Sequence, residues 1–115
     1  MIKNREEVVQ SPAHTVALDC LTAAVESATP SSVMESKVQR SGSRLTVGDT
    51  TYDLDTFDEV LVVGGGKAAA GVTKYLESVL GSHLTDGLVI TKHPVETTTV
   101  RTVVGDHPLP TKRNV

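Results

Sequence analysis

The sequence predicts an α/β fold, a mainly parallel sheet with flanking helices and a small β-hairpin on its N-terminal side. Three observations carry that expectation. Val60-Leu61-Val62-Val63 is a continuous apolar run, the pattern of a strand covered on both faces at the centre of a parallel sheet. Gly64-Gly65-Gly66 follows directly and leads into a helical repeat, so strand, glycine turn and helix make the first half of a βαβ unit. Two further extended segments, Leu88-Val89-Ile90 and Val100 to Val104, supply more strands.

Taken in order, Ser11-Pro12 has the form of a helix start, with serine as N-cap and proline at the first helical position, where its missing N–H costs nothing. A helix is expected to about Ser27. Ala13, Val16, Ala17, Cys20, Leu21, Ala24 and Ala28 recur every three or four residues and form an apolar stripe that requires a partner. Pro30 stops this helix, and Ser31 is expected to cap a short second one carrying Val33, Met34 and Val38. From Arg40 the period changes. Leu45 and Val47, then Tyr52 and Leu54, alternate on either side of Gly48-Asp49, as in a type II′ hairpin.

After the apolar run, Ala69, Val72, Leu76, Val79 and Leu80 share one side of a further helix, which Gly81 ends. The next strand is expected to be entered through an Asp86-Gly87 turn, and a threonine-rich loop, His93 to Thr99, separates it from the third. Two prolines fix an extended turn at His107-Pro108-Leu109-Pro110, and Thr111 has the form of the cap of another helix, for which no residues remain.

Composition narrows the function. At 115 residues the chain holds one domain at most. Its 14 acidic and 11 basic side chains give a net charge of −3, with no basic block to neutralise a run of phosphates, which argues against nucleic-acid binding. The longest apolar stretch is too short to span a bilayer and the polar N-terminus lacks a signal-peptide core, so a soluble cytoplasmic protein is expected. The single cysteine, Cys20, reads as a small buried hydrophobe. His14 and His83 read as surface positions and His93-Pro94 as loop punctuation, with no ligand spacing for zinc. A core of valine, leucine and alanine, with only three aromatic residues (Phe57, Tyr52, Tyr75), is marginal for an isolated domain.

The most informative stretch is Gly64-Gly65-Gly66-Lys67-Ala68. Glycines after a strand let a ligand approach the backbone, and the following helix start offers free N–H groups and partial positive charge, a favourable place for an anion. Lys67 opposes the local dipole, as a residue kept for a negative ligand does. A Walker A loop is rejected, because it needs glycine six positions before the lysine and serine or threonine after it, where this chain has Leu61 and Ala68. A dinucleotide fingerprint fits Gly64, Gly66 and Ala69 but lacks the ribose acid, since the second strand ends Thr91-Lys92-His93; Lys92 suits a 2′-phosphate instead. A plain tight turn with a solvated lysine is the remaining reading. A second candidate, Gly105-Asp106-His107-Pro108-Leu109-Pro110, belongs on the same sheet rim, with His107 either catalytic or a structural hydrogen bonder.

The combination is familiar. The alanine-rich N-terminal helix, Tyr52-Asp53-Leu54, Val62-Val63 with the glycine-lysine block through Ala69, Gly87 to Lys92, and the turn from Gly105 to Pro110 resemble the N-terminal region of MOFRL-type glycerate 2-kinases, from about Ala13 onward. Thr111 stands where many members carry aspartate and Asn114 where glycine is common, and His93 to Thr99 matches poorly. The resemblance implies a Rossmann-like fold and an enzyme that phosphorylates D-glycerate at its 2-hydroxyl with ATP, Mg²⁺ accompanying the nucleotide. It implies Lys67 as catalytic cation, with Gly64, Gly65, Gly66, Ala68 and His107 binding phosphate or substrate. Residues 1–115 would then be the N-terminal part of the first α/β domain, without the C-terminal MOFRL domain and inactive alone. Family members are also described as hydroxypyruvate reductases, so an NAD(P)-dependent reductase is the alternative, and a non-catalytic truncated product a third.

Overall fold

The computed structural model of the chain describes residues 2–106 and 109–114. Two short N-terminal helices flank a longer one: α1 Arg5–Val8, α2 Pro12–Ser27 and α3 Pro30–Lys37. The Ser11 hydroxyl accepts the His14 N–H at the start of α2, as its Ser-Pro sequence demands. Pro30 does more than end α2. It occupies the first turn of α3, and the cap is Thr29, whose hydroxyl accepts the Ser32 N–H, in place of the expected Ser31. Val38 leaves α3 and opens a strand, where it is buried.

The expected hairpin is a three-stranded antiparallel meander, β1 Val38–Ser41, β2 Arg44–Val47 and β3 Thr50–Asp53. β1 escaped the alternation because Gln39 and Arg40 break its apolar pattern; its partnering is set by Gly42, at φ 62°, which turns the chain back. At the second turn Gly48 has φ 59° while Asp49 stays at negative φ, which excludes a type I′ turn and agrees with type II′. Leu54 lies just beyond β3 in a 3₁₀ turn and enters the main core.

The parallel sheet comprises β4 Leu61–Gly65, β5 Asp86–Thr91 and β6 Val100–Val104, in the order β4-β5-β6. β5 is therefore central and β4 is an edge strand, which corrects the expectation that Val60 to Val63 run through the middle. One face is covered by α4, Ala69–Leu80, and the core of Leu54, Val62, Leu80, Leu84, Val89 and Val100 lies beneath it. The opposite face has no cover among the described residues. No turn precedes β5 at Asp86-Gly87 either: both residues belong to the strand, and Gly87 is needed because a Cβ there would lie 2.5 Å from the Val62 carbonyl oxygen.

The meander docks on the C-terminal half of α4, where Tyr75 donates its hydroxyl to the Val38 carbonyl at 2.8 Å and Arg40 donates to the carbonyl of Val79. At the other end, a Cβ on Gly71 would sit 3.5 Å from Pro30, so α3 packs against the first turn of α4. The stripe of α2 finds no such cover. Val16, Leu21 and Val25 are exposed, and Cys20 with them, against the expectation of a buried cysteine. The radius of gyration, 18.3 Å, reflects this open form; a compact chain of this length has about 13 Å. No helix among the described residues is long and apolar enough to cross a membrane.

Candidate functional site

β4 delivers the glycine loop to the carboxyl-end rim of the parallel sheet. Gly66 donates its N–H to the Ile90 carbonyl at 3.1 Å, which carries the β4-β5 ladder one residue past the strand. Gly66 then turns at φ 117°, a conformation that side chains disfavour, and α4 begins at Ala69. Its N-cap is Ala68, which has no side-chain acceptor to offer. Ala69 donates its N–H to the Gly66 carbonyl at 3.3 Å, and the remaining N–H groups of the first turn of α4, with the positive end of its dipole, lie at the rim.

The turn itself explains only one of the three glycines. A Cβ on Gly64 would meet nothing within 4 Å, and one on Gly65 would make ordinary contacts of 3.6 Å and 3.8 Å with Ile90. The fold thus leaves room for side chains at Gly64 and Gly65, and their absence keeps the backbone open to an approaching group. Lys67 is exposed, and its ammonium makes no hydrogen bond or ion pair among the described residues. Beneath the loop, a shallow cleft of about 230 Å³ runs between β4 and α4, with Gly64, Gly65, Ala68, Ala69 and Val72 among its walls.

The second candidate segment reaches the same rim. Gly105 donates to the Thr91 carbonyl at 2.9 Å and extends the β5-β6 ladder, so Asp106 leaves β6 beside the end of β5. With β5 between them, the β4 and β6 exits lie two strand spacings apart, roughly 10 Å. The Asp106 carboxylate accepts from the Thr111 hydroxyl at 2.5 Å and faces Arg113 at 3.8 Å, tying the end of β6 to the residues around the last 3₁₀ turn. Thr111 caps the 3₁₀ turn Lys112–Asn114, accepting the Arg113 N–H at 3.2 Å. His107 lies outside the described residues. Lys92, exposed just past β5, adds a second cation to the rim.

Two other positions depart from expectation or escaped it. His83 is partly buried, where a surface position was expected: its Nε2 lies 3.3 Å from the Asp55 carboxylate and its Nδ1 is buried without a partner. The two 3₁₀ turns that bring this pair together are far apart in the chain. Glu77, in the last turn of α4, accepts N–H groups from Thr98, Thr99 and Val100. Its partial burial raises the carboxyl's affinity for a proton, but these three donors outweigh it and hold its pKa below the ordinary value. A negative charge at the helix C-terminus opposes the dipole, and that signal in the sequence could have marked Glu77 as a side chain held by a partner.

A three-stranded parallel sheet, with a glycine-lysine loop at the amino end of its first crossover helix and a small antiparallel sheet beside it, defines an α/β protein. The particular family follows from comparison. A profile described as "Domain of unknown function (DUF4147)" matches residues 16–115; the chain belongs to this family, which forms the N-terminal part of MOFRL-type glycerate kinases. It is 33% identical over 88 residues to a glycerate kinase of Danio rerio, a match covering 76% of this chain and 17% of that protein. The crystal structure of the PH0495 protein from Pyrococcus horikoshii OT3 is similar in fold, with a TM-score of 0.75 at 21% identity, over 91% of this chain and 24% of that one. The chain thus spans about a sixth and a quarter of the lengths of these two relatives.

Proposed function

We propose that this chain forms the N-terminal part of the first domain of an ATP-dependent glycerate 2-kinase, and that residues 1–115 are inactive without the C-terminal part of such an enzyme. The observation that carries this reading is the exposed Lys67, without a partner among the described residues, beside an uncapped helix start and two glycines that the turn does not require. The relative named as a glycerate kinase supports the substrate class.

In the reaction proposed, the 2-hydroxyl oxygen of D-glycerate forms a bond to the γ-phosphorus of ATP and loses its proton to solvent, while the bond from that phosphorus to the β,γ-bridging oxygen breaks, releasing ADP. Negative charge concentrates on the transferring group and on the glycerate carboxylate. Lys67, the N–H group after Gly66 and the first-turn N–H groups of α4 beyond Ala69 are suited to hold such charge in place, and the backbone donors need no rearrangement as the transition state forms. Gly64 and Gly65 admit the anion to the backbone, and His107 is assigned to the same rim by its sequence position. Mg²⁺, arriving with the nucleotide, would screen its phosphates; among the described residues no cluster of His, Cys, Asp or Glu side chains could hold a metal ion unaided.

The reductase reading draws on Gly64, Gly66 and Ala69 together with Lys92 at the end of β5, which would face a 2′-phosphate. The kinase reading is preferred because the named relative is a kinase. The test joins the chain at Val115 to the remaining part of a family-length relative and measures ATP-dependent phosphorylation of glycerate. Lys67→Ala is expected to lower kcat/KM by roughly 10²–10³-fold. Full activity in that variant overturns the role of Lys67, and saturable NADP binding without phosphorylation favours the reductase.

A further inference from the structure

Among the described residues, nothing covers one apolar face of the parallel sheet. Residues in register across β4, β5 and β6 place Leu61, Val63, Leu88, Ile90 and Val103 on the side opposite α4, with exposures of 54%, 77%, 42%, 40% and 44%. The sequence pattern of these strands is that of segments buried on both sides: Val60 to Val63 and Leu88 to Ile90 do not alternate with polar residues. The two charges on this face neutralise each other, Arg101 lying 3.5 Å from Asp86 at its amino end. The chain exposes 8326 Å², whereas a compact monomer of this mass exposes roughly 6,100 Å².

The free edge of β4 is also built for pairing. Edge strands ordinarily carry a charge, a proline or a bulge that blocks a further strand. β4, Leu61–Gly65, carries none of these, and the apolar cleft between it and α4 opens along this edge.

Chain handedness says what fits. The connections β4 to β5 and β5 to β6 step across the sheet in one direction, and both run over the α4 face, the second held there by Glu77. A right-handed crossover that steps back past β4 must lay its helix on the other face.

We propose that the bare face and the β4 edge together seat one further αβ unit, a helix with an apolar stripe lying across Val63, Leu88 and Ile90, followed by a strand that pairs in parallel with β4. The two relatives carry more than three quarters of their length outside the matched span, which is chain enough for such a unit, so its source, though not its fit, rests on the reading of this chain as part of a longer enzyme. The seating has a consequence for the site. It makes the carboxyl end of β4 the point where the sheet reverses direction, so Gly64 to Lys67 come to line a crevice with a second wall.

Thiol labelling tests this in a Cys20→Ser background. Val63→Cys, Ile90→Cys and the hairpin-tip control Asp49→Cys are each placed in the 115-residue chain and in the chain joined to the remaining part of a relative. All three should label fast in the short chain, and the first two should slow by about tenfold or more in the joined protein while Asp49→Cys stays fast. The same substitutions at the matched positions of the intact Danio rerio relative give the reading without a junction. Fast labelling at Val63 and Ile90 in both longer proteins overturns the proposal. Protection in the short chain that disappears on dilution assigns the face to a second copy and overturns it as well. Labelling needs no activity, so protection without glycerate phosphorylation counts against the kinase reading alone.

Discussion

The Glu77 carboxylate accepts the Val100 N–H at 2.7 Å, joining the last turn of α4 to the first residue of β6. Thr99 donates to the same oxygen at 2.7 Å and Thr98 to its neighbour at 2.9 Å. Residues 92–99 form a crossover without a helix, and one carboxylate collects the backbone donors that such a segment leaves open. The position at which β6 enters the sheet is thereby set by the helix.

Removing that carboxylate should loosen β6 specifically. Glu77→Ala is expected to cost on the order of 1–2 kcal/mol, hydrogen bonds to a charged acceptor being discounted here for partial exposure. Urea denaturation measures the loss, and amide exchange at Thr98 to Val100 should accelerate more than at β4.

The same contact predicts a pH dependence. The folded-state pKa of Glu77 lies below its unfolded value of 4.5, so its stabilisation is complete above that value and is lost as pH falls through the folded pKa. The gap in denaturation midpoint between the native chain and Glu77→Gln should therefore be largest near neutrality and narrow in acid. A constant gap from pH 7 to pH 3 would contradict the assignment.

Two glycines should respond to alanine in opposite ways. At Gly87 a Cβ meets the Val62 carbonyl at 2.5 Å and Val100 at 2.9 Å, so the β4-β5-β6 sheet must part. Gly87→Ala is expected to destabilise by about 2–3 kcal/mol or more. Gly64→Ala has open space and should leave stability within about 0.5 kcal/mol; in a family-length enzyme it should nevertheless lower kcat/KM, because the methyl group covers backbone that an anion needs.

Docking of the meander rests partly on the Tyr75 hydroxyl. Tyr75→Phe keeps the ring and removes the bond to Val38, for an expected cost of about 1 kcal/mol. Exchange should rise in β1 to β3 and not around Gly66, since the meander and the glycine loop occupy opposite ends of α4.

Much of this architecture was legible from local signals. Ser11-Pro12, Gly48, Gly81 and Thr111 act within a few residues of themselves, and each does what its chemistry predicts. One miss was itself local: Thr29 displaced Ser31 as a cap because Pro30 fits the first turn of α3. Elsewhere a distant residue decided, and Gly87 reads as a turn residue until the Val62 carbonyl is seen above it. His83 is drawn inward by Asp55, 28 residues earlier. Of the site, Lys67 and the glycine block were visible because a cation at a helix start is out of place unless something negative answers it.

The order of the elements, the turns between them and the strand-glycine-lysine-helix passage are written in the residues themselves, because they depend on backbone freedom and apolar period over short distances. Long-range packing settled the rest: that β5 and not β4 lies at the centre, that α2 and one sheet face stand open, and that Gly66 alone of the three loop glycines is needed for the turn. An apolar run states that a strand is to be covered on both sides; which residues cover it depends on parts of the chain far away in sequence. In these 115 residues α4 covers one side, and the other presents Val63 and Ile90 to solvent.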